Sequence, residues 1–367
     1  MQRALVLARR GMGHVRPNPP VGAVVLGDGR IQGEDYHRAV GSEHAEILAL
    51  RQAGDRAGGA VLVVSLEPCN HQGRTPPCVP AIVKAGIRRV VVGTRDPNPS
   101  SGHGLDALRD AGVEVAVSAE EGQARHLVAG FASLLERRRP RFFLKIAASL
   151  DGRIATASGD SRWISSEVAR AWVHRRRREA DGIMVGAGTA LQDDPELTTR
   201  SVHGRSPDRI VVDSRLRTPA KARAWSPNGV RRIAATTAAA SPEAKSALAS
   251  RGVEVWELPP GPEGRVDLPA LAGRLGAEGY TNVLVEGGGG LAGALLEAHL
   301  VDTAWVALSR SLLLGGGGPG WSEGLHVPTV ARGIRISRSA IRSLGPDWLV
   351  HFVPEFAQWW DAETGHV

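Results

Sequence analysis

Short β-branched runs alternate with helix-length stretches on both sides of one charged break, and this constrains the chain most. VGAVVLGDGRIQGE (21–34) holds an apolar run, a Gly-Asp-Gly turn and a second run, which predicts a hairpin. HAEILALRQAG (44–54) has Ile47, Leu48 and Leu50 at helical spacing and a stop at Gly54. AVLVVSLEP (60–68) predicts a buried strand running into a loop. Helix then strand follows in 80–99 and again in 106–117. A helix over 119–136 leads to Arg137–Arg139 and Pro140, where we place a boundary. The alternation restarts at FFLKIAASLDG (142–152) and continues through GIMVGAG (182–188), RIVVDS (209–214), RRIAATT (231–237) and NVLVEGGGG (282–290). Strands alternating with helices predict a parallel or mixed sheet with helices on its faces. A chain of 367 residues exceeds one ordinary core, so two α/β domains are expected, 1–140 and 141–367.

Composition narrows the class. Hydrophobic residues make up 42% and charged residues 23%, as in a soluble globular protein. No apolar run approaches the roughly 18–20 residues that span a bilayer, and MQRALVLARR reads as the start of an amphipathic helix rather than a signal peptide. A cytoplasmic protein without a membrane partner is expected. The net charge of +7 invites a nucleic-acid reading. The two arginine clusters, 137–139 and 175–178, are not interleaved with aromatics as a single-strand platform is, so no nucleic-acid partner is expected.

Chemistry concentrates in EPCNHQGRTPPC (67–78), which holds both cysteines of the chain, Cys69 and Cys78. A disulfide is one reading; metal binding or catalysis suits a cytosolic chain of this size better. Upstream stands His44-Ala45-Glu46 at a predicted helix start. One imidazole and two thiolates make three ligands and leave a fourth position open, the pattern of a catalytic zinc. Glu46, beside it and not a ligand, suits proton transfer between water and a leaving ammonia. His-x-Glu followed by Pro-Cys and a second Cys is the zinc deaminase signature, except that eight residues rather than two separate the cysteines. That polar insert, with His71 and Arg74, suits a loop that also reads an anionic ligand.

The second half lacks a strand-linked GxGxxG. It has LVEGGGGLAGALLEAHLVD (284–302), a strand, four glycines and a helix, and a second glycine turn at VGAGT (185–189). Two such turns can cradle a dinucleotide against helix N-termini; tight turns alone explain them equally well. Arg177 offers a planar fork for phosphate, though spacing alone would make it part of a solvated helix face. Lys145 and Asp151 fit proton or hydrogen-bond partners, and fit core or cap roles as well.

PNPPVGAVV (17–25), HAE (44–46), LEPCNHQGRTPPC (66–78), DPNP (96–99) and GxG (102–104) together resemble the deaminase half of the bifunctional riboflavin-biosynthesis deaminase/reductase family. The resemblance implies a cytidine-deaminase-like α/β/α domain. In it His44, Cys69 and Cys78 bind zinc, Glu46 is the catalytic proton shuttle, and Asn18, His71, Arg74 and Asn98 contact substrate. The family pattern DPNPxVxGxG stands here as DPNPSSGHG, one residue shorter and without the valine. LKIAASLDGRIA (144–155), SGDSRWISS (158–166), GAGTALQDDPELTTR (186–200), VVDSRLRTP (211–219) and LVEGGGGLAGALL (284–296) resemble the family's reductase half, which is similar in fold to dihydrofolate reductase. That half implies NADPH contacts from Ala147, Trp163, Thr189, Asp193, Ser214 and Gly288, Gly289, Gly290, Leu291, Ala292, Gly293 and Ala294. It implies substrate contacts from Ser161, Arg177, Leu197, Arg200 and Glu286.

The resemblance covers about residues 1–350. It implies zinc-dependent deamination of a diamino-ribosylamino-pyrimidinone 5′-phosphate, then NADPH reduction of the ribosyl chain to ribityl, in a dimer or tetramer. The shortened loop leaves room for a related pyrimidine or purine of a specialised pathway, and one domain alone could be active.

Overall fold

A computed structural model describes residues 1–101, 103–200, 202 and 204–357. Gly102 of the GxG motif and the last ten residues of the expected second domain lie outside the described residues. The chain forms two compact units, the first Met1–Arg138 and the second beginning at Arg139.

The first unit runs α1 (Gln2–Gly11), β1 (Gly22–Gly27), β2 (Arg30–Tyr36), α2 (Ala45–Ala53), β3 (Val61–Val64), α3 (Cys78–Lys84), β4 (Arg89–Val92), α4 (Gly104–Asp110), β5 (Glu114–Val117) and α5 (Glu121–Arg137). The hairpin turns on Asp28 and Gly29, both at positive φ (52° and 72°), as a two-residue turn of twisted strands requires. Strand order is β2-β1-β3-β4-β5; β1 is antiparallel to β2 and β3, and β3, β4 and β5 are parallel. The pleat divides β1 between two layers. Ala23 and Val25 join α2, α3 and α4 in one core, whereas Val24 packs with Ala4 and Leu7 of α1. Small residues let the helices lie close. A Cβ on Gly33 would stand 2.2 Å from the Ala49 carbonyl oxygen, and one on Gly22 would stand 2.2 Å from that of Ala4.

The second unit runs β6 (Arg141–Ala148), α6 (Glu167–Glu179), β7 (Gly182–Gly186), α7 (Ala187–Asp193), β8 (Asp208–Val212), β9 (Arg232–Thr236), α8 (Pro242–Ala249), β10 (Glu254–Glu257), α9 (Leu268–Ala277), β11 (Asn282–Val285), α10 (Gly289–Glu297), β12 (Val301–Ser309), β13 (Ile336–Leu344) and β14 (Asp347–Pro354). Its nine-stranded sheet has the order β10-β9-β8-β7-β11-β6-β12-β14-β13. All neighbours from β10 to β12 pair in parallel; β14 and β13 close the far edge antiparallel. These last strands, with β12, extend the sheet beyond the alternation legible in the sequence.

Strand β6 sets the geometry of the cleft. Phe142, Leu144 and Ile146 enter the larger core, and Phe143 packs in the opposite layer with Trp172 and Trp305. By the same two-residue period, Lys145 and Ala147 share the Phe143 face farther along the strand. Both line the cleft there. At the other end of the strands buried carboxylates tie the backbone. Asp302 accepts from Arg139 at 2.8 and 3.1 Å and from the Phe142 amide at 2.8 Å, and Asp181 accepts from the Thr281 and Asn282 amides.

Candidate active sites

Three elements of the first unit converge on one centre. His44 is the N-cap residue of α2, Glu46 lies in its first turn, and Cys78 opens α3. Cys69 sits on the loop after β3, and its carbonyl accepts the amides of Cys78 and Val79 at 3.1 and 3.2 Å. The eight-residue insert therefore leaves and returns at one point, with the two thiols side by side. Both cysteines are free, so the disulfide reading fails. His44 Nδ1 lies 3.3 Å from Cys78 Sγ and 3.5 Å from Cys69 Sγ, and the three ligand atoms fall within 4.8 Å of one another. Thr75, inside the insert, makes a 3.1 Å hydrogen bond to His44 Nε2, which orients the ring and leaves Nδ1 toward the thiols.

The electrostatics suit a cation. Hydrogen bonding from Cys78, opposed by burial and helped by His44, holds the Cys69 thiol well below its usual range. Sharing that proton, together with burial, pushes the Cys78 thiol up. One imidazole and two thiols competing for too few protons form a donor set for zinc, with a position left open. Glu46 is buried and its Oε2 has no hydrogen-bond partner; burial lifts its carboxyl above the usual range. A buried oxygen without a partner is rare and asks for one the protein does not supply.

The expected substrate contacts make bonds of their own in the first unit. Asn18 Nδ2 lies 3.1 Å from His37 Nε2. His37, missed in the sequence reading, also contacts the Glu43 carbonyl through Nδ1 at 3.3 Å and stands edge-on to His44, ring centroids 5.5 Å apart. Burial holds the His37 pKa low, so a neutral ring accepts from Asn18 and donates to Glu43. His71 Nδ1 bonds the Ser101 carbonyl at 3.1 Å, and Arg74 is exposed on the insert. Asn98 Oδ1 accepts the Ser100 amide at 3.0 Å and holds the turn of its own loop. Burial lifts the nearby Asp96 carboxyl to about 6.

The second unit holds a cleft of about 520 Å³ at the carboxyl ends of β6, β7 and β11. Ala147, Ser161, Trp163, Thr189, Asp193, Leu197, Arg200, Glu286 and Gly288–Gly290 line it, with Arg177. Ser161 Oγ donates to Asp193 at 3.2 Å. Trp163 is 68% exposed at the mouth, with the Arg170 guanidinium 4.4 Å from its ring centroid. Arg177 is committed rather than free. Its fork closes on Glu286 at 2.6 and 3.0 Å and its remaining nitrogen donates to the Thr198 carbonyl at 2.8 Å. Burial alone would raise the Glu286 carboxyl, but Arg177 and Lys145 hold it below the usual range. Burial lowers the Lys145 ammonium, partly offset by Glu286. Arg200 is half exposed and touches Glu196 only at 3.5 Å, so it retains donors for a ligand.

The remaining residues of the expected dinucleotide set make contacts within the protein. Ser214 spends its hydroxyl on the Val266 amide at 3.0 Å and is not among the cleft-lining residues. Leu291, Ala292, Gly293 and Ala294 follow in α10; the Leu291 side chain lies against Gly186 and Gly287, and Ala292 is core. The glycine run serves packing. A Cβ on Gly289 would stand 2.1 Å from the Gly320 carbonyl oxygen, and one on Gly293 would stand 2.3 Å from Gly324 and Leu325 backbone, whereas Gly290 faces open space. Asp151 is a loop staple. It accepts from the Leu314 and Gly315 amides at 3.1 and 2.7 Å and from Ser149 Oγ at 2.6 Å, and these bonds bring it to about 2.

Comparison with known proteins matches two separate stretches of the chain. Residues 1–94 match the cytidine and deoxycytidylate deaminase zinc-binding region, and residues 140–350 match the RibD C-terminal domain. The chain is 38% identical to the riboflavin biosynthesis protein RibD of Aquifex aeolicus, covering 96% of this chain and 97% of the relative. It is 39% identical to the Escherichia coli RibD protein, covering 96% and 98%. Among solved structures it is similar to a diaminohydroxyphosphoribosylaminopyrimidine deaminase/5-amino-6-(5-phosphoribosylamino)uracil reductase of Thermotoga maritima. That match has 35% identity and a TM-score of 0.83, over 96% of this chain and 97% of the other. A RibD structure from Acinetobacter baumannii matches with 34% identity and a TM-score of 0.82, over 96% and 97%.

Proposed function

The chain belongs to the RibD family of riboflavin-biosynthesis proteins, and from that premise we infer a bifunctional enzyme that deaminates a phosphorylated pyrimidine and then reduces its sugar chain. The deaminase works within residues 1–140 on 2,5-diamino-6-ribosylamino-4(3H)-pyrimidinone 5′-phosphate. The reductase works within 141–367 on 5-amino-6-(5-phosphoribosylamino)uracil. One observation carries the first activity: a His, Cys, Cys triplet within 4.8 Å beside a buried, unpartnered carboxylate oxygen.

Zinc held by His44, Cys69 and Cys78 supplies Lewis-acid activation of water at neutral pH. Glu46 takes a proton from the attacking water at its free Oε2 and returns one to the departing amine, so ammonia leaves as the carbonyl forms. Asn18, with His37 behind it, and Asn98 present hydrogen-bonding groups to the pyrimidine. His71 and the exposed Arg74 meet the phosphorylated ribose.

In the reductase NADPH, when bound, would supply the hydride for C1′ of the opened ribose. Gly288 and Gly290 at the head of α10, with Thr189, Asp193, Ala147 and Trp163, form the wall for the dinucleotide. Arg200 binds the substrate phosphate. Arg177 keeps Glu286 ionised and oriented toward the sugar, and Lys145 holds the buried proton that accompanies hydride addition. Ser161 and Leu197 close the substrate side. A cytoplasmic homo-oligomer, dimer or tetramer, completes this reading on the family's likeness alone.

Glu46→Ala tests the proton shuttle. Bound zinc and the NADPH-dependent step on the deaminated substrate should persist, while ammonia release falls by about 100-fold or more. Full ammonia release by this variant would overturn the role.

A further inference from the structure

The 96–105 segment carries the DPNPSSGHG sequence that is one residue shorter than the family pattern it resembles, and it is anchored at both ends. Its two ends meet on one side chain. Glu67 Oε2 accepts the Asp96 amide at 3.2 Å, and Glu67 Oε1 accepts the Leu105 amide at 3.0 Å. The second bond also answers a deficit at the start of α4. The residue before that helix, His103, sits in the left-handed region (φ 51°) and gives no side-chain cap, so the first-turn amides need an acceptor from elsewhere. A carboxylate there is favoured by hydrogen bonding and by the helix dipole together. Between these ends the Ser101 carbonyl accepts from the Asn70 amide at 2.8 Å and contacts His71 Nδ1 at 3.1 Å. Gly104 presses on the same strip, where a Cβ would stand 1.8 Å from the Pro68 carbonyl oxygen. Asp96, Ser101, Gly104 and Leu105 are thus laid along residues 67–71, the stretch that carries Cys69.

We propose that Glu67 is a positioning residue for deamination: its carboxylate brackets both ends of the 96–105 loop and sets where Asn98 meets the substrate. The bracket lets a shorter loop keep a defined path, because two backbone donors nine residues apart share one rigid acceptor. Glu67 itself points into backbone and touches no reacting atom. Its loss changes how the substrate is held rather than how the bond is broken. The proposal rests on the deaminase reading given above.

Glu67→Gln offers one acceptor oxygen where two are needed and turns an NH₂ toward the other amide. Hydrogen exchange of the intact zinc-loaded chain should show the Asp96 and Leu105 amides exchanging at least about tenfold faster, with β3 and β4 amides unchanged. The KM for the pyrimidine phosphate should rise about tenfold, with kcat and zinc content near wild type. Glu67→Asp keeps the charge on a shorter arm, should fall between the two, and carries the test if the glutamine variant does not fold. Wild-type exchange and KM in both variants would overturn the proposal. Zinc lost in step with activity would do the same, because the residue would then serve the metal loop. A wild-type protein that releases no ammonia would overturn the deaminase reading and the substrate role with it, while the exchange measurement still reports separately whether Glu67 holds the loop.

Discussion

Arg177→Met is the sharpest test of the electrostatics of the second cleft. The native guanidinium makes two bonds to Glu286 and one to the Thr198 carbonyl, and both charged side chains are about nine-tenths buried, at 10% and 11% exposure. Methionine fills much of the stem's volume but leaves a buried carboxylate with Lys145 as its remaining close cation. Breaking a buried pair from one side costs about 3–5 kcal/mol. For a unit of this size that lowers Tm by about 6–20 °C. None of the nine tryptophans lies within Met1–Arg138 and seven lie among the described residues of the second unit, so tryptophan fluorescence in a urea titration reports chiefly that unit. The loss should depend on pH in a definite direction. In the wild type the Glu286 pKa is depressed, so its contribution is present above the unfolded carboxylate value and is lost as pH falls through the folded one. Without Arg177, burial dominates and lifts the folded value above the unfolded one. The penalty is then full near neutrality and is relieved as pH falls through that raised value. The gap between wild type and variant should therefore narrow on acidification, and Glu286→Gln added to the variant should recover much of the stability at neutral pH. A cost under about 1 kcal/mol, or a gap indifferent to pH, would refute the reasoning.

Two further changes separate the halves of the molecule. Cys78→Ser removes one of three zinc donors, and purified variant should carry less than about a tenth of the wild-type zinc by elemental analysis while the tryptophan unfolding curve stays put; full zinc content would contradict the assigned ligand set. Gly293→Ala places a Cβ 2.3 Å from the backbone of Gly324 and Leu325. It should destabilise the second unit by about 1–3 kcal/mol and weaken NADPH binding by moving the Pro319–Glu323 wall of the cleft, with ammonia release unchanged; unaltered stability would show that the segment shifts freely.

The zinc centre was legible in the sequence because its chemistry is carried by residue types seldom placed together for other reasons. His44 and Glu46 mark a helix start, and two lone cysteines bracket a turn-rich insert. The β1–β2 hairpin was legible for a similar reason, since Asp28-Gly29 supplies the positive φ that its turn needs. What stayed hidden depends on partners distant in the chain. Glu67 looks like an ordinary loop carboxylate until Asp96 and Leu105 bring their amides to it. The glycines at 288–293 suggested ligand approach, yet Gly289 and Gly293 answer to residues 320–325, which no local pattern could show. Spacing alone favoured a solvated face for Arg177, and only the fold shows it buried against Glu286. The antiparallel edge of β13 and β14 follows from pairing, and ISRSAIRSL is too polar and exposed to announce a strand by periodicity.

The central claim is that one chain performs both reactions in order. The most direct measurement supplies zinc-loaded protein with the diamino-ribosylamino-pyrimidinone phosphate and follows ammonia release and NADPH oxidation separately in the same sample. The account predicts both, with NADPH consumed only after ammonia appears and abolished together with it in Glu46→Ala. Ammonia without NADPH oxidation, or neither signal from fully zinc-loaded protein, would contradict it.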